Sequence, residues 1–183
     1  IIEGLGIKSI VVSGFEADDV IGTLAKRGEK EGFQVYMITP DKDYAQLVSE
    51  RVFMYKPGRA GNKSEVWGIP EVLDHFGIER VEQVIDILGL MGDTADNVPG
   101  CDGVGPKSAA TLIYKYGSIE GVYQHIDELK GDFLMKAPAL KERKNELEWC
   151  EEMSIHSERF WEKLSEIIHD LNYVVIAIGN DNE

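Results

Sequence analysis

Three short clusters of acidic residues carry the chemistry that this sequence could perform. In chain order they are Glu16, Asp18 and Asp19; Asp41 and Asp43; and Asp93 and Asp96. Carboxylates brought together in a low dielectric repel one another, so a site built from them must hold cations or raise the pKa of some members. Oxygen ligands without His or Cys favour Mg²⁺ or Mn²⁺ over zinc. We therefore assign all seven acids as candidate metal ligands and catalytic residues.

Two divalent ions about 3.5–4 Å apart can activate a water molecule and stabilise the leaving oxygen of a phosphodiester. The acidic clusters therefore predict a hydrolytic nuclease site with two ions. The i, i+3 spacing of Asp93 and Asp96 predicts that both lie on one face of a helical turn.

Each cluster taken alone also has a simpler explanation, because Asp and Glu at the start of a helix often cap it or complement its dipole. Asp19 could both cap a helix and bind a metal. Lys42, between the two acids of the second cluster, could balance their charge or contact a substrate phosphate, and we favour the phosphate. There are three such clusters, and two of them are expected at one edge of a sheet. For the seven acids together, this favours metal binding over helix capping alone.

A glycine-rich hairpin follows the third cluster, where residues 97–110 read NVPGCDGVGPKSAA. Its glycines permit a tight turn, and Pro106 suits the first turn of a helix. The N–H groups at such a helix start face an incoming anion, and a unit of this kind binds a DNA backbone without reading bases. The residues predicted to bind DNA are Gly103, Gly105, Lys107 and Ser108, together with Lys42.

A second basic segment, the loop with Lys56, Arg59 and Lys63, could add phosphate contacts, although a solvated turn is the simpler explanation.

The composition limits how this chain can find a partner. Its 183 residues have a net charge of −14, which excludes general attraction to nucleic acid or to an anionic membrane. Any binding to DNA must therefore be local. No apolar run approaches the roughly 18 residues of a membrane span, and we expect a cytoplasmic protein. Cys101 and Cys150 lack the spacing of a zinc site or a disulfide framework.

Two strand-like segments must position the first two clusters. Residues 8–12 (KSIVV) and 33–39 (FQVYMIT) are rich in β-branched and aromatic residues, and a helical pattern over 16–31 lies between them. This order predicts a right-handed βαβ unit in a parallel sheet. The carboxyl ends of parallel strands lie at one edge, so we expect the first two clusters to converge there.

The remaining pattern predicts an α/β half followed by a helical half. A short helix over 44–48, a third strand over 51–55 and a possible edge strand over 65–68 complete the first half. Predicted helices then cover residues 70–76, 81–91, 106–116 and 118–129. We divide the chain into an α/β core (1–69), a helical region with the hairpin (70–136) and an acidic tail (137–183). The tail has two helix-like stretches and a β-like run over 173–178, with no assigned role.

Two runs of sequence are similar to a known family. FEADDVIGTLAKRGEKEGFQVYMITPDKDYAQLV and GLMGDTADNVPGCDGVGPKSAATLI resemble the 5′ nuclease domain of bacterial DNA polymerase I, a member of the flap endonuclease family. The resemblance reaches roughly Lys136. It implies a parallel-sheet core of the PIN-like or resolvase-like type followed by a helix-hairpin-helix motif. It also implies a Mg²⁺-dependent hydrolase that cuts DNA at 5′ ends or flaps during replication and repair.

Carried over by position, the seven acids resemble the family's metal ligands, with Asp93 and Asp96 nearer the second ion. The hairpin from Gly103 to Ser108 resembles the element that binds duplex DNA, such as a 5′ flap or nicked duplex, and that holds a monovalent cation such as K⁺.

The sequence also departs from the family pattern. The family's N-terminal strand, two further acids and a helical arch are absent before Ile1, so we expect a fragment whose own nuclease activity is weak or absent. The missing N-terminal part or a polymerase domain is its candidate protein partner. One alternative is a non-catalytic module that binds duplex DNA. Another is a small toxin-like ribonuclease, against which the hairpin argues because cutting single-stranded RNA needs no duplex clamp.

Overall fold

The computed structural model describes residues 3–58, 61, 63–94 and 98–143. These residues belong to two compact units that divide between Ile69 and Pro70. No helix in the described ranges is long and apolar enough to cross a membrane.

The first unit contains helix α1 (Ala17–Lys30), whose sequence favours a helix at both ends. Acidic side chains occupy its first turn and basic ones its last turn, which complements the helix dipole. The chain leaves the helix through Gly32, whose φ is +89°, a value that glycine adopts without strain. The predicted helix over 16–31 is confirmed.

A three-stranded sheet packs beside α1, in the order β1 (Val35–Ile38), β2 (Val52–Lys56) and β3 (Glu65–Trp67). Strands β1 and β2 are parallel, and β2 and β3 are antiparallel. A 3-10 segment over Lys42–Leu47 lies in the connection between the parallel strands. The predicted strands over 33–39 and 51–55 and the edge strand over 65–68 are confirmed, and the short helix over 44–48 is this 3-10 segment.

The predicted strand over 8–12 is wrong. These residues join no ladder in the described part of the chain. Val12 is buried and Val11 is 85% exposed, an alternation that a half-buried strand would also show, so the missing ladder partner is what excludes a strand here. An apolar β-branched run forms a strand only where a neighbouring strand supplies ladder hydrogen bonds. The predicted βαβ crossover from 8–12 is therefore also wrong, and the parallel pair is β1 with β2.

The second unit is helical, as predicted. Its elements are α2 (Ile69–Phe76), α3 (Gln83–Met91), the two-residue strands β4 (Gly92–Asp93) and β5 (Val98–Pro99), α4 (Pro106–Tyr116), α5 (Ile119–Gln124) and α6 (Ala137–Arg143). The helices over 70–76, 81–91 and 106–116 are confirmed. The predicted helix over 118–129 is instead α5 followed by a short 3-10 turn over Ile126–Glu128. Most of the tail, including the β-like run over 173–178, lies outside the described residues.

Helices α3, α4 and α5 contact one another around a fully buried apolar core. Gln83, which is 2% exposed, joins two parts of this unit. Its Nε2 donates to the carbonyl of Gly117 at 2.8 Å, and its Oε1 accepts from the amides of Glu79 at 2.9 Å and Arg80 at 3.1 Å. A buried polar group with these partners avoids the cost of an unsatisfied one. It thereby ties the start of α3 to the end of α4.

Asp86 on α3 provides a pH-dependent test of this packing. Its Oδ1 accepts from the amide of Ile119 at 3.1 Å, while burial raises its pKa to about 6. The native state therefore binds this proton more tightly than the unfolded state, where the pKa is 3.8, and stability falls as pH rises through this window.

We expect Asp86→Asn, which keeps the oxygen acceptor without the charge, to raise the free energy of unfolding at pH 8 by about 1 kcal/mol after allowance for solvent screening. The gain should vanish as pH falls towards 4. Urea unfolding across this range measures it, with the exposed Asp74→Asn as control. A gain that is constant with pH would contradict the assignment.

The end of α3 gives a second test of stability. A Cβ at Gly92, where φ is +71°, would lie 2.2 Å from the backbone nitrogen of Gly100, whereas a Cβ at Gly103, where φ is +73°, would meet nothing within 4 Å. Both substitutions by Ala place an L residue at positive φ, which costs about 1 kcal/mol or more, and Gly92, with ψ 175°, lies in a region that essentially only glycine adopts. Gly92→Ala adds a backbone clash and should cost about 3 kcal/mol in total. Urea unfolding of the two variants should separate them, and equal losses would contradict the close approach.

Candidate metal site and DNA-binding hairpin

The first acidic cluster lies at the start of α1. Glu16 is the N-cap residue, and its amide donates to Oδ2 of Asp19 at 3.3 Å. The amide of Asp19 in turn donates to Oδ1 of Asp18 at 2.8 Å. The capping role considered for Asp19 is therefore present. Its role as a metal ligand stays a prediction.

Asp18, the second acid of this cluster, is half-buried. Burial raises its pKa to about 6, with the charges of Asp19 and Glu16 acting in the same direction and the hydrogen bond from the Asp19 amide acting against them. Ionisation of Asp18 is therefore less favourable in the folded protein than in the unfolded chain. A cation near this carboxylate would lower its pKa again.

The second cluster lies directly after β1, at the predicted sheet edge. The amide of Asp43 donates to Oδ1 of Asp41 at 3.1 Å, and the amide of Asp41 donates to Oγ1 of Thr39 at 3.1 Å. The Nζ of Lys42 lies 3.4 Å from Oδ1 of Asp43. Lys42 thus balances an acidic charge in the protein alone, and its contact with a substrate phosphate stays a prediction.

The third cluster differs from the prediction. Asp93 is buried, 8% exposed, in β4, where it pairs with Val98 of β5. The predicted helical turn is wrong at this position because α3 ends at Met91, and the positive φ of the following Gly92 cannot continue an α-helix. Asp96 lies outside the described residues.

No group of three or more His, Cys, Asp or Glu side chains is placed to hold one metal ion within the described ranges. Four acids of the first two clusters instead accept from nearby backbone amides, namely Glu16, Asp18, Asp19 and Asp41. Asp43 forms an ion pair with Lys42. Because residues 8–12 form no strand, the sheet-edge argument applies to Asp41 and Asp43 only. The metal site formed by all seven acids remains a prediction.

The hairpin before α4 has the exposed backbone that the sequence predicts. Gly103 has φ +73° and is exposed, as are Gly105 and Lys107. Gly105 is the N-cap of α4 and has no side-chain cap, and the first helical hydrogen bond runs from the amide of Ala109 to the carbonyl of Gly105 at 2.9 Å. The amides of Lys107 and Ser108 come before Ala109 in the helix, where N–H groups have no carbonyl acceptor within the helix. They are therefore the donors that a phosphate could use.

One contact at this hairpin could not be predicted from the sequence. The Nζ of Lys136 donates to Oγ of Ser108, which brings a second lysine to the first turn of α4. The two partners are 28 residues apart in sequence. No local pattern marks Lys136, because only the path of the chain through α5 and the following turns brings it to α4.

Comparison with known proteins places this chain in a family. The model for the 5′-3′ exonuclease N-terminal resolvase-like domain matches residues 1–77, and the model for the 5′-3′ exonuclease C-terminal SAM fold matches residues 79–175. The second match continues past Lys136, where the motif resemblance ends, and through most of the acidic tail.

Two curated relatives are 41% identical to this chain. A thermostable DNA polymerase I of Thermus thermophilus matches over 143 residues, which is 78% of this chain and 16% of the polymerase. A 5′-3′ exonuclease of Aquifex aeolicus matches over 128 residues, which is 70% of this chain and 43% of the exonuclease. The chain therefore spans less than half the length of either relative.

A solved structure of T5 5′-exonuclease with bound zinc ions has the same fold. Its TM-score is 0.68 at 21% sequence identity, covering 87% of this chain and 61% of the T5 chain. The predicted class, an α/β core followed by a helical half, is confirmed. The chain belongs to the 5′-3′ exonuclease family, with a resolvase-like N-terminal domain and a C-terminal SAM fold.

Proposed function

We propose that this chain hydrolyses DNA phosphodiesters at 5′ ends or flaps, in a divalent-metal-dependent and structure-selective reaction of replication and repair in the cytoplasm. The observation that carries the proposal is the match of both 5′-3′ exonuclease domain models along the chain. The acidic clusters lie on both sides of the boundary between them, and the hairpin follows in the C-terminal domain.

The names of similar proteins support the metal and the substrate. One T5 structure carries divalent zinc ions. Another, with a TM-score of 0.63 and 21% identity, is a T5 flap endonuclease variant in a complex with DNA and metal ions. We infer Mg²⁺ or Mn²⁺ for this chain, because its candidate ligands are carboxylate oxygens without His or Cys. DNA with a 5′ flap or a nick is the partner we propose.

The first two clusters fit a cation on chemical grounds. Burial and neighbouring charges oppose ionisation of Asp18, and a divalent ion would favour the charged form. Asp41 uses one oxygen to accept from the Asp43 amide, and a carboxylate has lone pairs left for an ion. A bound ion would activate water and offset charge on the phosphate. The proposed ligands are the seven acids Glu16, Asp18, Asp19, Asp41, Asp43, Asp93 and Asp96.

The hairpin supplies the proposed grip on duplex DNA. The amides of Lys107 and Ser108 and the exposed Lys107 side chain can contact one backbone phosphate. Backbone carbonyls of the same turn are where we propose a K⁺ ion. These local donors offset the overall charge of −14, which by itself would repel DNA.

We expect Asp41→Asn to lower Mg²⁺-dependent cleavage of a fluorescent 5′-flap duplex by about 100-fold or more, because it removes one negative charge from the metal site. The variant keeps an oxygen that can accept from the Asp43 amide, so the local turn should survive. Gel analysis of products measures the rate, and the exposed Glu50→Gln serves as a control of the same charge change within the first unit.

Failure of the wild-type chain to cleave with either Mg²⁺ or Mn²⁺ would overturn the proposal. Duplex binding without cleavage would favour the non-catalytic module instead.

We expect Lys107→Ala to weaken duplex binding and to reduce the slope of log Kd against log salt by about 1, as loss of one phosphate contact requires. Fluorescence anisotropy across a salt series measures the slope. Lys115, at the other end of α4, donates to the hydroxyl of Tyr116 at 2.9 Å, so Lys115→Ala is the matched control. An equal effect of both variants would exclude a specific contact at the hairpin.

A further inference from the structure

Lys56 lies at the sheet edge where the second acidic cluster begins. It is the last residue of β2, and β2 runs parallel to β1. The amide of Thr39 donates to the carbonyl of Tyr55 at 3.1 Å, so the parallel pairing continues to the residue before Lys56. Lys56 therefore ends β2 at the same edge at which Asp41 follows β1, and the Asp41 charge acts on it.

An aromatic ring holds the ammonium group of Lys56 in place. Its Nζ lies 3.6 Å from the centroid of the Trp67 ring, a distance typical of a cation–π contact. The ring itself is fixed, because Trp67 is 7% exposed and its Nε1 donates to Oε2 of Glu65 at 2.9 Å. Glu65 is the direct partner of Lys56 in the register of β2 and β3. A lysine restrained in this way loses less side-chain entropy when it binds an anion.

The two lysines at this edge differ in their partners. Lys42 forms a salt bridge with Asp43, whereas Lys56 forms none with any carboxylate in the described ranges of the chain. Glu65 and Asp41 affect Lys56 only at longer range, while burial lowers its pKa. The Asp43 carboxylate repels a phosphate that approaches the Lys42 ammonium group, whereas no carboxylate pairs with Lys56 in this way. Lys56 is the better placed of the two for an anion.

We propose that Lys56 binds a backbone phosphate of the DNA substrate beside Asp41, with the Trp67 ring holding its ammonium group in position. This inference rests on the proposed nuclease function and adds a residue to the same site. The ammonium group would offset phosphate charge next to the acids that are expected to bind metal, where the substrate would otherwise meet carboxylates.

The test compares Lys56→Met, which keeps an unbranched chain over the ring without the charge, with Lys56→Arg, which keeps the charge. Lys30→Met is the matched control, because Lys30 is exposed at the far end of α1 from the acidic cluster. Anisotropy with a 5′-flap duplex measures the salt slope, and gel analysis with Mg²⁺ measures kcat and KM. All four proteins should first unfold at the same urea midpoint, which shows that the substitutions leave stability unchanged.

We expect Lys56→Met to reduce the salt slope by about 1 and kcat/KM by about 10-fold or more, with Lys56→Arg recovering most of the slope and Lys30→Met changing neither. If wild type binds and cleaves the flap but Lys56→Met behaves as Lys30→Met does, the inference fails and the proposed function stands. Weaker binding with an unchanged slope would also overturn it, because a purely structural role has that signature.

A fluorescence experiment tests the contact without cleavage. The chain has three tryptophans, so Trp149→Phe with Trp161→Phe leaves Trp67 as the only reporter. Inorganic phosphate, titrated to millimolar concentrations against a sodium chloride series of equal ionic strength, should change Trp67 emission in a saturable way. The change should disappear when Lys56→Met is added. Emission that does not respond to phosphate, or responds equally in both proteins, would overturn the inference whatever the nuclease assay gives.

Discussion

Hydrogen bonds between carboxylates and nearby backbone amides organise the acidic turns on which the rest of the candidate site depends. Asp19 accepts from Glu16 at the start of α1, and Asp41 accepts from Asp43 after β1. Each bond satisfies a donor at a helix start and stabilises a negative charge. A chain with a net charge of −14 gains from placing its acids at such donors. The capping and metal-binding explanations are therefore compatible, because the caps use only part of each acid's acceptor capacity.

The excess of acidic residues also explains why binding groups for DNA must be local. A phosphate near this protein meets overall repulsion, reduced by salt over about one Debye length. Favourable contacts must then come from short-range donors, which the hairpin provides through exposed amides and through Lys107. The contact of Lys136 with Ser108 adds positive charge at the same helix start. Affinity built in this way depends on geometry more than on net charge, which is consistent with the proposed selection of a DNA structure without reading of its sequence.

Local patterns predicted most helices and paired strands, and they failed where a distant partner decides the structure. Helix α4 was predicted at its observed bounds because Pro106 favours its start and Gly117 its end. Residues 8–12 have strand-like composition, but composition does not supply a neighbouring strand. The sequence predicts Asp93 on a helical turn. The positive φ of Gly92 instead ends the helix, and Asp93 lies in the two-residue strand β4, paired with β5. Lys136 had no detectable signal, because its partner is distant in sequence.

The same distinction separates the two lysines of the sheet edge. Lys42 stands between two acids in the sequence. This adjacency makes it a candidate phosphate ligand, but it also gives its Nζ a carboxylate partner, Oδ1 of Asp43, at 3.4 Å. Lys56 is separated in sequence from the acidic cluster, and β-sheet pairing brings it there with Trp67 as its contact instead of a carboxylate. A cation already paired with an acid has less to gain from a phosphate, since the gain is reduced by the pair that must be broken. Fold topology, more than proximity along the chain, therefore determines which positive charge is available to the substrate.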